Sequence, residues 1–144
     1  TSDLGKLGND LRPYSHFHDG RLRPATHKEI NSVTWWELKN CGIPIVVTPS
    51  ANLQFTVNWD ELITEMRENT NSYWRSWTRR PGRIAVLYSN WGIQWAVLGV
   101  LRQYFTFKEN TITTKVKAGN YALGSLPQRW HLLIREAIQI RKTK

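Results

Sequence analysis

Two positively charged residues in the second half of the sequence have the type and spacing to bind an anion. Arg102 is the one charge inside the apolar stretch of residues 90–107, so its guanidinium must find a partner or meet an anion. Lys115 opens the next predicted helix, where unpaired backbone amides also attract negative charge. We expect both side chains to converge on one triphosphate, with Arg141 as a weaker third candidate. The alternative is that Arg102 is satisfied by a buried carbonyl or carboxylate and that Lys115 is solvated.

Three aromatic residues, Tyr73, Trp74 and Trp77, recur on the last turns of a predicted long helix. They could stack against a ring-shaped ligand, although aromatics at this spacing more often pack in a core. His16 and His18 alternate along a predicted strand, but no third metal ligand stands at a suitable spacing. We therefore expect the histidines to be exposed at a strand edge, and we predict no metal site.

The positive charge of the chain is concentrated in its C-terminal half. Residues 69–144 carry 13 Lys and Arg against 2 Asp and Glu, a balance of +11, whereas residues 1–68 carry −2. This excess favours nucleic acid, nucleotide phosphates or an acidic protein surface as partners, and a merely solubilising surface is the alternative. The single cysteine, Cys41, and the lack of a signal peptide or long apolar run predict a cytoplasmic protein with no membrane partner.

Motifs of the common catalytic sites are missing from the sequence. It contains no G-x-S-x-G, P-loop, G-x-G-x-x-G or H-E-x-x-H motif, which argues against hydrolase, NTPase, Rossmann and zincin functions. No two of its four aspartates are spaced to hold Mg²⁺ together. We assign no catalytic residue, and we expect the chain alone not to catalyse nucleotidyl transfer.

Hydrophobic periodicity predicts a mainly α fold with a C-terminal four-helix bundle, preceded by a short α/β part with one or two isolated strands. One long helix follows the N-cap Asn58 and ends at residues 79–82. The central helix covers residues 90–108 and is apolar nearly all round, so other elements must pack on several of its sides. We place the domain boundary between residues 55 and 56.

The two remaining helices of the predicted bundle follow short turns. One begins after Thr113 or Thr114 and runs to about Leu123. The last has Pro127 at its first position. The residues predicted to line its buried face are Trp130, Leu133, Ile134, Ala137 and Ile138.

Residues 1–55 have the pattern of a piece of an α/β domain. They predict a hairpin around Asp19 and Gly20, a helix over residues 29–40 and a buried strand over residues 43–47. A single strand is not stable by itself, so the pattern indicates a sheet whose other strands are absent. Because the sequence also starts at Thr1 without a methionine, we expect a processed product or a part of a longer chain.

A series of dispersed positions resembles a known family over most of residues 11–141. They are Val97-Leu98, Leu101-Arg102, Tyr104-Phe105, Lys115, Tyr121-Ala122 and Leu126-Pro127, with residues 34–39, Gly42-Ile43 and residues 71–74 upstream. They look like the aminoglycoside adenylyltransferases of the streptomycin and spectinomycin type, in particular their C-terminal helical domain. Where drug-modifying members have acidic and polar residues at the start of the central helix, this sequence has Trp91, Gly92 and Trp95.

The resemblance implies a nucleotidyltransferase with two cooperating domains. In that family an N-terminal domain with Gly-Ser and Asp-x-Asp motifs holds ATP and Mg²⁺, and residues 1–55 would be a remnant of it. The positions of Arg102 and Lys115 imply contacts with the ATP phosphates, and we add Arg141 to this nucleotide-binding set. We assign Tyr73, Trp74 and Trp77 to binding of a small-molecule acceptor. The N-terminal domain, in the same or a separate chain, is the implied partner.

Two other functions remain open at this point. The first is a basic helical module that binds nucleic acid without catalysis, motivated by the +11 half and its tryptophans. The second is a small helical partner of a separate nucleotidyltransferase chain, as in two-component toxin–antitoxin pairs. Binding that weakens steeply with salt would favour the nucleic-acid module.

Overall fold

The computed structural model describes residues 14–18, 20–25, 31–43 and 56–143, and these form a mainly α fold, as predicted. The strands are β1 (Tyr14–His18) and β2 (Arg21–Ala25). The helices are α1 (Ser32–Cys41), α2 (Trp59–Asn69), α3 (Arg75–Trp77), α4 (Pro81–Leu87), α5 (Asn90–Glu109), α6 (Lys115–Ser125) and α7 (His131–Lys142). A π-helical turn, Thr70–Trp74, joins α2 to α3, and a 3-10 turn, Gln128–Trp130, precedes α7. None of the described helices is long and apolar enough to cross a membrane.

The chain divides into two compact units, Thr1–Glu65 and Met66–Lys144. In the first unit, β1 and β2 form the predicted antiparallel hairpin, with His18 paired to Arg21. Gly20 in the connecting turn has a φ of 73°, which glycine adopts without steric cost. The predicted strand over residues 43–47 lies outside the described residues except for Ile43, which is exposed and not in a strand.

Helix α1 begins later than predicted, at Ser32, because Asn31 forms its N-cap. The Asn31 side chain accepts hydrogen bonds of 3.1 Å from the amides of Val33 and Thr34. The amide of Ser32 donates to the carboxylate of Glu65 on α2, at 3.2 Å. At the other end of the helix, the amide of Gly42 donates to the carbonyl of Leu38.

The predicted long helix exists as α2, the π-helical turn and α3 in succession. Asn58 is its N-cap, as predicted, and accepts hydrogen bonds from the amides of Asp60 at 3.1 Å and Glu61 at 3.3 Å. The expectation that Pro81 and Gly82 only end this helix was incomplete. Pro81 also occupies the first turn of α4, where its missing amide hydrogen has no cost, so a further short helix follows.

Helices α5, α6 and α7 share the main buried core of the second unit. Its buried members come from all three helices and are Leu98, Leu101, Ala118, Ala122, Ile134, Ala137 and Ile138. Ser89 begins α5 by accepting a hydrogen bond from the amide of Gly92, and Asn110 ends it with a φ of 50°. The predicted central helix is therefore confirmed, and α4, α6 and α7 pack on it.

Two predictions about the last helix were wrong in detail. Pro127 caps the 3-10 turn rather than α7, which begins at His131. Trp130 is 47 % exposed and Leu133 is 40 % exposed, so neither lies on the buried face. Trp130 belongs to the 3-10 turn, where the spacing of an α-helix does not apply.

Candidate functional site

Helices α5, α6 and α7 are in close contact at Gly119. A Cβ atom built on this residue would lie 2.9 Å from Cγ1 of Ile138 and 3.0 Å from Cδ2 of Leu98. Its neighbours Ala118 and Ala122 are also small and fully buried. The lack of large side chains on this face of α6 lets the helix approach both partners closely.

One cationic residue lies a single helical turn beyond each of the three residues in this junction. Lys115 precedes Gly119 by four positions, Arg102 follows Leu98 by four, and Arg141 follows Ile138 by three. Residues at these spacings share a helix face. The close contact of α5, α6 and α7 at Gly119 therefore brings the three charges near one another. We call Arg102, Lys115 and Arg141 the cationic cluster.

The lowered pKa of Lys115 indicates that the other two charges of the cationic cluster lie nearby. Burial of its ammonium lowers the pKa of Lys115, and the positive charges of Arg141 and then Arg102 lower it further. All three charges therefore act on the same region of space. An anion placed there would relieve both the mutual repulsion and the unfavourable burial of the ammonium.

The start of α6 adds polar backbone to the cationic cluster. Thr114, one of the two predicted candidates, is the N-cap, and its hydroxyl accepts a hydrogen bond of 3.3 Å from the amide of Lys117. The other amides of the first turn have no partner inside the helix and carry its positive dipole end. Across the α5–α6 connection, the hydroxyl of Tyr121 donates to the carboxylate of Glu109 at 2.5 Å. This hydrogen bond fixes the turn that positions Lys115.

Five aromatic side chains form a second cluster, centred on Trp95 of α5. The Trp95 ring stacks on Trp91 with centroids 5.1 Å apart and an angle of 12°. It also contacts Trp74 at 4.8 Å, Trp77 at 4.9 Å and Tyr73 at 6.2 Å. We call these five residues the aromatic cluster. It holds the π-helical turn and α3 against the first half of α5.

The aromatic cluster has a partly buried centre and an exposed rim. The indole nitrogens of Trp74 and Trp77 are buried and have no hydrogen-bond acceptor among the described residues. Tyr73 is 42 % exposed and Trp91 is 47 % exposed. A ligand that approaches the cluster therefore meets Tyr73 and Trp91 first, whereas Trp74 and Trp77 support them from behind.

Two contacts fix the π-helical turn on α5. A Cβ atom at Gly99 would lie 2.9 Å from the ring of Trp74, so the ring packs directly on the helix backbone. The hydroxyl of Thr70 lies 2.5 Å from Oε1 of Gln103 and 2.9 Å from the carbonyl of Met66, within hydrogen-bond distance of both acceptors. Nε2 of Gln103 donates to Asn69 at 2.8 Å.

The structure brings together the residues that the sequence pointed to, in two separate groups. Arg102, Lys115 and Arg141 form the cationic cluster. Tyr73, Trp74 and Trp77 lie in the aromatic cluster. Sequence reasoning missed Trp91 and Trp95 as members of the latter, although their four-residue spacing on one helix was a usable signal.

The described side chains form no metal site, and they do not include the predicted histidine pair. The side chains of His16 and His18 lie outside the described part of the structure. Within residues 14–18, 20–25, 31–43 and 56–143, no group of three or more His, Cys, Asp or Glu side chains is placed to hold a metal ion.

Helices α5, α6 and α7 form a helical domain that carries the cationic cluster. Residues 69–144, just over half of the chain, match the family described as aminoglycoside adenylyltransferase, C-terminal domain. The chain therefore belongs to the aminoglycoside adenylyltransferase family through this domain, and it is part of an adenylyltransferase. Among curated proteins and among solved structures, no significant match to the chain is found.

Proposed function

We propose that the cationic cluster binds the phosphates of ATP in an adenylyltransferase reaction. The observation that carries the proposal is the convergence of Arg102, Lys115 and Arg141 from three different helices beside the N-terminus of α6. Guanidinium groups match phosphate oxygens in pairs, and an ammonium supplies a compact point charge. The first-turn amides of α6 add further donors.

The energetic argument for an anion at this position comes from Lys115. Lys115 is partly desolvated next to two like charges, which is why its pKa is lowered. A triphosphate beside it would favour the protonated ammonium. The cluster would then act by binding and orienting the phosphates before the adenylyl group is transferred.

The metal of the reaction belongs elsewhere in this proposal. The described residues offer no group of carboxylates for Mg²⁺, so its ligands would come from an N-terminal nucleotidyltransferase domain in the same or a separate chain. Bound Mg²⁺ neutralises phosphate charge during the transfer. We propose that the 144-residue chain is inactive alone, and adenylyl transfer to streptomycin or spectinomycin by the purified chain would refute this.

The aromatic cluster is our proposed contact surface for the acceptor. Its exposed rim, Tyr73 and Trp91, offers ring faces to a flat or apolar part of a small molecule. Trp74, Trp77 and Trp95 hold the rim in place. The acceptor would thus lie along α5, on the same helix that carries Arg102.

The test is ATP affinity in the protein assembled with its N-terminal domain. Arg102→Met and Lys115→Met should each weaken ATP binding by about 1.5–3 kcal/mol, because a charge-assisted contact is lost. Lys117→Met is the matched control: it removes the same charge from an exposed position two residues along α6. Unchanged ATP affinity together with lower stability of Arg102→Met would show that the arginine is structural and that the proposal is wrong.

A further inference from the structure

A second group of cationic residues lies where the π-helical turn and α3 lead into α4. An open cleft of about 340 Å³ is lined by Asn71, Ser72, Arg75, Ser76, Arg79 and Arg80. All six side chains are polar or positively charged, and none is acidic. None belongs to α5, α6 or α7, so the cleft is distinct from the cationic cluster.

Among the described residues, no carboxylate neutralises the three arginines of the cleft. Arg75, Arg79 and Arg80 form no salt bridge or side-chain hydrogen bond with any residue in the described part of the chain. Arg75 and Arg79 are four positions apart, a spacing at which like charges repel. Three adjacent guanidiniums without a carboxylate produce a local positive potential that attracts an anion.

The remaining polar groups of the cleft show which atoms can donate to a ligand. The hydroxyl of Ser72 already donates to the carbonyl of Glu68 at 2.6 Å, and that of Ser76 donates to the carbonyl of Tyr73 at 2.7 Å. The side-chain amide of Asn71 has no partner among the described residues. The groups left to donate hydrogen bonds to a ligand are therefore the three guanidiniums and one side-chain amide. These donors suit an anion with many acceptor oxygens.

One wall of the cleft is held in place by an adjacent arginine. Nη1 of Arg83 donates to the hydroxyl of Ser76 at 2.9 Å, and its guanidinium carbon lies 5.1 Å from the centroid of the Trp77 ring. Arg83 is thus committed to the protein, whereas the cleft arginines are not. The cleft also adjoins the aromatic cluster through Trp77, so occupancy should change tryptophan fluorescence.

We propose that this cleft binds a small molecule carrying two or more phosphate groups. Planar guanidiniums bind phosphate oxygens in pairs, and three of them suit more than one phosphate. The volume falls at the lower end of the range for small-ligand pockets, which fits a compact polyphosphate group. The proposal does not depend on ATP binding at the cationic cluster.

The experiment uses inorganic tripolyphosphate as the probe, with calorimetry and tryptophan fluorescence on the 144-residue chain. The Lys115→Gln background weakens the cationic cluster, and binding should persist there. Within that background, Arg75→Gln and Arg79→Gln should each weaken binding about 10- to 100-fold, the loss of one charge-assisted contact. Arg79→Lys keeps the charge but loses the planar fork, so its effect should be intermediate.

The matched control is Arg135→Gln, which removes the same charge from an exposed position on α7 outside the cleft. It should leave the affinity unchanged. Three results would overturn the proposal. The first is that Lys115→Gln abolishes binding whereas the cleft variants cause no loss of binding. The others are equal binding of citrate, or binding of single-stranded oligonucleotides only. The last would assign the arginines to a nucleic-acid strand. Thermal melts of every variant distinguish unfolding from loss of ligand binding.

Discussion

Gly119 and Ile138 are in such close contact that a Cβ atom on the glycine would lie 2.9 Å from Cγ1 of the isoleucine. Real side chains do not pack at this distance, so a larger residue must displace the Ile138 side chain or push α6 away from α7. Because Lys115 and Arg141 each lie one turn beyond this contact, a displacement of α6 from α7 would separate the charges of the cationic cluster. Packing and the proposed phosphate site are thus coupled at one residue.

The Gly119→Ala variant should therefore lose both stability and ATP affinity. Overpacking costs about 1–3 kcal/mol, more than the roughly 1 kcal/mol that alanine gains over glycine in a helix. Gly124→Ala is the control, since the glycine is on the same helix and a Cβ there meets no atom within 4 Å. Its urea midpoint should stay level or rise. Equal midpoints for the two variants would contradict the close contact.

Truncation of the core should separate buried from exposed leucine and isoleucine positions. Leu98 is fully buried and Ile134 is 2 % exposed, so Leu98→Ala and Ile134→Ala should each cost about 2–5 kcal/mol of unfolding free energy. Leu132 is 81 % exposed on the same helix as Ile134, and Leu132→Ala should change stability by less than about 0.5 kcal/mol. Urea titrations of the three variants measure this. A large loss for Leu132→Ala would mean that the phase of α7 is wrong.

Lys115→Met should make the chain slightly more stable although it weakens phosphate binding. The folded state disfavours the charged ammonium, since burial and then Arg141 and Arg102 lower its pKa. Removing the charge relieves this penalty by less than about 1 kcal/mol, because the half-exposed group is screened by solvent. The measurement is the urea midpoint at neutral pH, with the exposed Lys117→Met as control.

The pH dependence of stability tests independently whether the charge of Lys115 destabilises the folded chain. Between its lowered folded pKa and the unfolded value near 10.5, the unfolded chain binds more protons, so stability rises with pH. The advantage of Lys115→Met over the unaltered chain should accordingly shrink as the pH approaches 10.5. An advantage that grows with pH would contradict the assigned cause.

Tyr121 should ionise later than an ordinary tyrosine. The hydrogen bond to Glu109, with smaller effects of burial and nearby groups, raises the pKa of Tyr121 to about 12 from a usual 10.0. The stability that it contributes is complete below pH 10 and is lost as the pH rises towards 12. Ultraviolet titration of tyrosinate should show one late group, absent in Tyr121→Phe. In Glu109→Gln this group should titrate closer to pH 10.

The parts of the fold that the sequence predicted are those in which local signals agree with the tertiary structure. Asn58 is the predicted N-cap and Thr114 is one of two predicted candidates, and both side chains accept hydrogen bonds from the amides that follow. The central helix was evident from its length and apolar content. Arg102 and Lys115 could be placed together since a short turn between two packed helices leaves few other arrangements.

The parts that the sequence did not predict depend on contacts between distant residues. Helix α4 was missed because Pro81 can end one helix or begin another, and only packing on α5 decides between them. The four-residue spacing of Trp91 and Trp95 shows that they share a helix face, but the central position of Trp95 in the aromatic cluster depends on α3 lying along α5. The exposure of Leu133 likewise depends on how α7 rotates against its neighbours.

The π-helical turn Thr70–Trp74 has a consequence for comparing this protein with its relatives. A π turn is accommodated by one additional residue in a helix, and each residue of an α-helix advances the side chains by about 100°. A relative that lacks the additional residue would present different side chains at the aromatic rim and in the arginine cleft, even if the flanking sequences were identical. Alignments through this segment must therefore be judged by residue count, and transfer of a role from Trp77 or Arg79 is sound only where the insertion is shared.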